Sequence, residues 1–357
     1  MTNKINYKKL LFSFFSILII GIAATLLFFV EDMESYKSAK LSDAINDAVR
    51  EEMDRQNTQA KALAIAIGGN ELLASSLKER DRKKALQVLD TVIASFDGYG
   101  ESNKFWMQLH TPELKVFMRS WDKSEYGTPL EGFRKGLVYV RQTKMPFSSI
   151  ELGKKLNFKA IAPVKLRGEY VGSLEIIKNF DEAVQNFADK KISLLVLMDG
   201  KFLDVAEWMT DYPILGDFIL CHKEYDKKLF AELKEEDLYM FIGRKKSFSK
   251  NYFISVEPMR DLSGERLGFF IAAIPKEAAK SMMKSESDIS FLFQASKEDL
   301  AIAYKNRAMA LHGGAADMKK LADTEIKKEK LKNMSRDELE NMLLYGGNSE
   351  IKKGEIR

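Results

Sequence analysis

The chain has 357 residues, 45% of them apolar and 30% charged, with a formal net charge of +4 at neutral pH. That length has room for two modest domains, or for one domain with long helices. A charge so small and so evenly mixed gives no basis for a nucleic-acid partner. The single cysteine, Cys221, excludes an internal disulfide, and its setting in "DFILCHK" reads as a buried apolar filler.

The first element is the run "LLFSFFSILIIGIAATLLFFV" at 10–30, which carries no charge. Its length suits one helical crossing of a bilayer. Lys4, Lys8 and Lys9 precede it, and Glu31 and Asp32 follow. The positive-inside rule then makes 1–9 a cytoplasmic basic tail and puts the body in the periplasm, as a single-pass inner-membrane protein. A cleaved signal peptide is the rival reading. It would have a shorter apolar region, and no A-x-A site stands before Glu31. No second span is expected, since beyond Lys280 no apolar run approaches the length of a bilayer crossing.

Residues 31–67 read as a long stalk helix. From 33 to 67 there is no proline or glycine, and Leu41, Ile45, Val49, Met53, Ala60, Leu63 and Ile67 recur at helical spacing. At about 1.5 Å per residue this is a rod of roughly 50 Å. The apolar stripe fits either packing along the chain's own domain or a seam with a second copy. "GGN" at 68–70 ends the rod, and helices are expected at 71–78 and 80–96.

Beyond the loop "DGYGESN" the texture changes to strands, at 105–110 and 114–121 around "TPE". A helix is expected at 132–144, then strands at 147–153, 157–165 and 170–177, the last two joined by "RGE". A second unit repeats the order, with a helix at 181–189 and strands at 192–198, 202–208 and 217–222. A helix at 226–233 and strands at 238–245, 252–259 and 267–274 complete it. "APVKLRGEYVGSLEI" echoes "EPMRDLSGERLGFFI", aligning Pro163, Gly168 and Gly172 with Pro258, Gly264 and Gly268. With the shared element order, the echo argues for two tandem copies of one lobe. The expected lobes are 68–180 and 181–277. Residues 278–357 read as a charged helical tail, with a break at His312, capping-box spacing between Ser335 and Glu338, and a disordered end.

Arg119 and Trp121 are two apart, so on a strand they share a face. A guanidinium beside a large ring suits a small anion with an apolar part, and a surface salt bridge beside a half-buried ring would use the same residues. Arg134 fits either that pocket or an exposed helical turn. His110 shares its strand face with Trp106 and Gln108 and is either a ligand donor or a structural histidine. Tyr126 either packs its turn or touches a ligand. Glu151 and Glu175 could meet an amine, or lie on a wet sheet face. The histidines fall in separate segments with no ligand pair at zinc spacing, so no metal or cofactor is expected. Hydrolase, metalloprotease and phosphate-loop motifs are missing, so the chain is not expected to be an enzyme.

A long helix rising from a membrane span into two strand-rich lobes resembles the extracytoplasmic double Cache sensor domain of bacterial chemoreceptors and sensor kinases. "WMQLHTPELKVFMRSW", "YGTPLEGFRKG", "IELG" and "IAPVKLRGEYVGSLEI" carry the likeness. The resemblance implies an α+β chain with a transmembrane helix, a stalk helix and two tandem PAS-like antiparallel-sheet lobes. It also implies a membrane-distal first lobe that binds a ligand through His110, Arg119, Trp121, Tyr126, Arg134 and Glu151. Lys159 stands where that family often has an arginine, which keeps the charge and loses the bidentate fork. Family receptors return through the membrane to an output module, and none is expected here.

The function expected is therefore a membrane-anchored periplasmic sensor for a small organic anion, a carboxylate or amino acid. It would signal through a protein partner at the stalk or tail, with a second copy of the chain as a further candidate partner. The alternative is a scaffold of an envelope assembly that keeps the double Cache fold without binding ligand.

Overall fold

The computed structural model of the chain describes residues 7–97, 105–132 and 134–284. Most of the expected loop after residue 96, and the tail beyond 284 with His312, Ser335 and Glu338, lie outside the described residues. The chain divides into two compact units, one of them Asn46–Lys276. That unit contains both sheets.

The expected anchor and stalk form one continuous helix, α1 (Tyr7–Gly68). Its apolar part is long and apolar enough to cross a membrane, with a mean hydropathy of 2.0, and its side chains such as Ile17, Leu27 and Phe28 are exposed. From Asn46 onward the apolar stripe is buried within the chain itself. Ala60, Ala64 and Ile67 join one core with α2 (Glu71–Glu79), α3 (Arg82–Asp97) and the first sheet. The Asn70 side chain opens α2 by accepting from the Leu73 N–H at 3.1 Å. Arg80, at φ 58°, closes it, so α3 begins two residues later than expected.

The first sheet takes β1 (Phe105–His110), β2 (Val116–Arg119), β3 (Phe147–Glu151), β4 (Asn157–Leu166) and β5 (Glu169–Lys178), in the order β2-β1-β5-β4-β3. All neighbours are antiparallel. Helix α4 (Lys135–Thr143) lies between β2 and β3 in sequence. It starts later than the expected 132, so Arg134 is the residue just before the helix. β2 also stops short of Trp121.

Alternation along the strands decides what each face meets. Met107 and Leu109 of β1, Leu174 and Ile176 of β5, and Ala160 and Ala162 of β4 face α1, α2 and α3 in one core. Full burial of each large side chain in such a core contributes roughly 1.5–3 kcal/mol. The opposite face carries Gln108, Glu175 and Lys159. It is a buried face: Glu175 is 0% exposed and Glu151 8%. The reading that placed these two carboxylates on a wet face is corrected, because α4 covers that side through Leu137 and Val140, packed on Ile161.

The second half runs α5 (Asp181–Ala188), β6 (Ser193–Asp199), β7 (Ile214–Leu215), β8 (Phe218–Leu220), α6 (Lys227–Glu235), α7 (Leu238–Arg244), β9 (Lys246–Phe248), β10 (Tyr252–Arg260), β11 (Arg266–Pro275) and α8 (Lys276–Lys284). Its sheet order, β7-β8-β6-β11-β10-β9, repeats the first with one added edge strand.

Two expected strands are not strands. Residues 202–208 fall in a turn region with short 3-10 helices at Gly200–Phe202 and Glu207–Met209, the first capped by Asp199 on the Lys201 N–H. Residues 238–244 form α7, because Asp237 caps the Tyr239 N–H and Leu238 and Phe241, three apart, are the buried pair. β7 and β9 were not expected.

The sequence echo has a backbone counterpart. Gly168 and Gly264 sit at φ 84° and 83°, and Gly172 and Gly268 at φ 148° and 157°. A Cβ on Gly172 would strike the His110 carbonyl, and one on Gly268 the Leu197 carbonyl. Each glycine lies beside a register shift in its hairpin. Both lobes thus need a residue without a side chain where one strand presses against the next.

Candidate functional site

The polar face of the first sheet builds a cavity of about 110 Å³. Strand pairing sets its rows. Arg119 lies opposite Gln108, Gln108 opposite Glu175, Trp106 opposite Ile177, and Ile177 opposite Lys159. All three tryptophans of the chain line it: Trp106 on β1, Trp121 just past β2, and Trp208 from the turn region between β6 and β7. Trp106 and Trp121 stack with centroids 5.0 Å apart at 23°. The Arg119 guanidinium lies 5.5 Å from the Trp121 ring, an arrangement that favours the cation.

Five basic residues line the cavity: Arg119, Arg134, Lys154, Lys155 and Lys159. Among the described lining residues there is no aspartate or glutamate. The carboxylates of this face stand behind the wall. Arg134 reaches both, pairing with Glu175 and holding Glu151 at 3.4 Å. Glu151 also accepts from the Gly136 N–H at 3.1 Å, in the first turn of α4, and from Ser149 Oγ at 3.2 Å. Burial opposes the charge on Arg134, but Glu175 and Glu151 outweigh it and hold its pKa above the ordinary value. Burial likewise works against the Glu175 carboxylate, yet Arg134 keeps it ionised, well below the usual carboxylate range.

The hydrogen bonds fix the state of His110. Arg119 Nε donates to Gln108 Oε1 at 2.7 Å, so the Gln108 amide nitrogen is the group that donates to His110 Nε2, also at 2.7 Å. His110 Nδ1–H then donates to Ser173 Oγ at 3.1 Å. Burial lowers the His110 pKa and favours the neutral imidazole, against the pull of the Glu175 carboxylate 3.5 Å from Nε2. Arg119 adds an ion pair to Glu125 at 3.4 Å.

Lys159 differs from these. It is 3% exposed, and its Nζ has no hydrogen-bond partner. The amine lies so close to the backbone of Gly153 that a Cβ there would meet it at 2.5 Å. Burial, reinforced by the Arg134 charge, brings its pKa down to about 7. The Trp121 Nε1–H is likewise buried without an acceptor.

Four of the seven residues expected at the site therefore line the cavity: Arg119, Trp121, Arg134 and Lys159. His110 and Glu151 support it from behind. Tyr126 lies off it, 53% exposed with its ring under Arg82 at 4.8 Å. Trp106 and Trp208 were not expected to meet. Trp106 shared a strand face with Gln108 and could have been found by that parity, whereas Trp208 reaches the cavity only through tertiary structure.

Trp208 is held there by the β3–β4 loop. Its backbone N–H donates to the Lys154 carbonyl at 3.0 Å, and Lys154 Nζ pairs with Glu207 at 2.9 Å. Lys155 Nζ donates to Tyr212 Oη at 2.8 Å, and the Leu156 N–H meets Met209 Sδ at 3.4 Å. A neighbouring cavity of about 160 Å³ shares Trp106, Lys155, Asn157 and Ile177 and reaches His222. That histidine is occupied, accepting from the Val196 N–H at 3.2 Å and donating to the Glu224 carbonyl at 2.7 Å.

Residues 38–279 match the family described as the double sensory domain of two-component sensor kinases. No curated protein matches the chain. Among solved structures, the extracellular domain of the putative histidine kinase vpHK1S-Z8 is 14% identical. The alignment covers 74% of this chain and 99% of that one, with a TM-score of 0.41. The sensor domain of the V. cholerae histidine kinase DctB is 12% identical, over 67% and 98% of the two chains, with a TM-score of 0.41. The ligand-binding domain of the Campylobacter jejuni chemoreceptor Tlp3, in complex with L-valine, is 10% identical over 70% and 96%, with a TM-score of 0.38. The matched family is a sensory domain, not a catalytic one. Matched over well more than half its length, and carrying two antiparallel sheets of like order in series, the chain belongs to the double Cache sensory domains.

Proposed function

We propose that the chain is a membrane-anchored sensor whose first-sheet cavity binds a small organic anion. One observation carries this reading: five basic residues and no carboxylate among the described residues that line the cavity. Arg119 offers its charge more directly than Arg134, because it pairs with Glu125 alone while Arg134 is held by both Glu151 and Glu175. The tryptophans supply an apolar wall. A cavity of about 110 Å³, beside one of about 160 Å³ that shares four of its lining residues, suits a small acid. The apolar part of α1 anchors the chain, and the lysines ahead of it favour a cytoplasmic N-terminus with a periplasmic body. Output would pass to a partner protein by way of the stalk or the tail.

The grip of the chain's own glutamates on Arg134 favours the second reading, a scaffold whose side chains take the ligand's place. A thermal-shift panel on the full chain in detergent separates the two, using small carboxylates, amino acids and amines. A ligand at a hundred times its dissociation constant stabilises by about 2.7 kcal/mol, a shift of several degrees. A shift that disappears in Arg119→Ala supports the sensor. A panel without any shift supports the scaffold.

A further inference from the structure

The cavity wall has more donors than acceptors. Lys159 Nζ and Trp121 Nε1 are both buried there without a hydrogen-bond partner. The acceptors on the wall are uncharged: the Gln108 amide oxygen is committed to Arg119, the Thr128 hydroxyl donates to Glu125, and Asn157 remains. Of the carboxylates near the wall, Glu151 and one oxygen of Glu175 are turned to Arg134, the other Glu175 oxygen lies 3.5 Å from His110 Nε2 behind the wall, and Glu125 and Glu207 are engaged by Arg119 and Lys154.

A ligand ammonium group entering such a site loses its water and gains no anionic partner, while lying near Arg119, Lys155 and Lys159. A ligand carboxylate instead meets two donors that lack acceptors, one of them a buried amine. We infer that the cavity selects small carboxylates carrying no ammonium group, with Lys159 and Trp121 donating to the carboxylate, and rejects amino acids of the same skeleton. The inference rests on the cavity being the ligand seat. It adds the ligand's class and the two residues that set it.

The experiment uses matched pairs that differ by one ammonium group: acetate and glycine, propionate and L-alanine, succinate and L-aspartate. Each is titrated into the full chain in detergent micelles, followed by calorimetry and by tryptophan fluorescence, since every tryptophan lines this cavity. The expected result is at least tenfold tighter binding of the amine-free member in each pair that binds. Lys159→Met should cut that affinity at least tenfold with the thermal midpoint kept or raised, which separates loss of the site from loss of the fold. An amino acid that binds as tightly as its amine-free partner overturns the selectivity and leaves the sensor reading standing. Silence from all six compounds overturns the carboxylate inference. The sensor reading then falls too, unless an amine or another compound of the wider panel shifts the midpoint.

Discussion

A lysine amine at 3% exposure without an acceptor lowers the stability of the fold that holds it. Lys159→Met keeps the side-chain length and removes the unpaired charge, so it should raise stability at pH 7 by about 1–3 kcal/mol. The gain depends on pH. Lys159 has a folded pKa of about 7 against an ordinary 10.5. Between those values the unfolded chain holds more protons than the folded one, so the native state strengthens as pH rises. The advantage of Lys159→Met should therefore be largest at and below pH 7 and shrink towards pH 10.5. Denaturant midpoints of both proteins across that range check it. A bound anion favours the ammonium form against burial and Arg134, with Glu175 and Glu151 aiding, so affinity should fall as pH rises above 7.

Glu175 behaves in the opposite way. Glu175→Gln strips Arg134 of one of its two buried partners and should destabilise by about 3–5 kcal/mol near neutrality. Because the folded carboxylate titrates below the usual range, its contribution is present above about pH 4.5 and is lost in stronger acid. Unfolding curves of the two proteins should draw together there. Arg119 and Trp121 could be read from their spacing, and family likeness drew attention to Lys159. What Arg134 does could not be read: its two glutamates are 17 and 41 residues away, and only the pairing of β3, β4 and β5 brings them together.

Among the elements, the long periodic helix and the longer strands bounded by turn residues were legible: α1, β1, β4, β5, β10 and β11. The misreadings were short apolar runs. "LYMFIGR" is compatible with strand or helix by composition, and the deciding residue is the capping Asp237. Asp237→Ala should destabilise by about 1 kcal/mol. The paired glycines carry a stronger expectation. Gly268→Ala puts a Cβ into the Leu197 carbonyl and should cost about 3 kcal/mol or more, with Gly172→Ala comparable at His110. Thermal unfolding of the two variants measures this directly, and a mild effect at either would remove the physical basis for treating the halves as one repeated design.

At the scale of the whole molecule, two-lobe organisation was legible from repeated element order and from four glycines at matched places. The shared wall was not. The β3–β4 loop lines the cavity and holds residues 207–212 of the second half through Lys154, Lys155 and Leu156. That grip means the halves are not interchangeable cassettes. A chimaera that takes its first lobe from a relative and keeps this second lobe would inherit a foreign loop facing Trp208. It would form two sound sheets and still lack one wall of the chamber. Descent with shuffling of single lobes should thus be rare for this chain. Its two halves are bound to be inherited together, because the cavity belongs to neither of them alone.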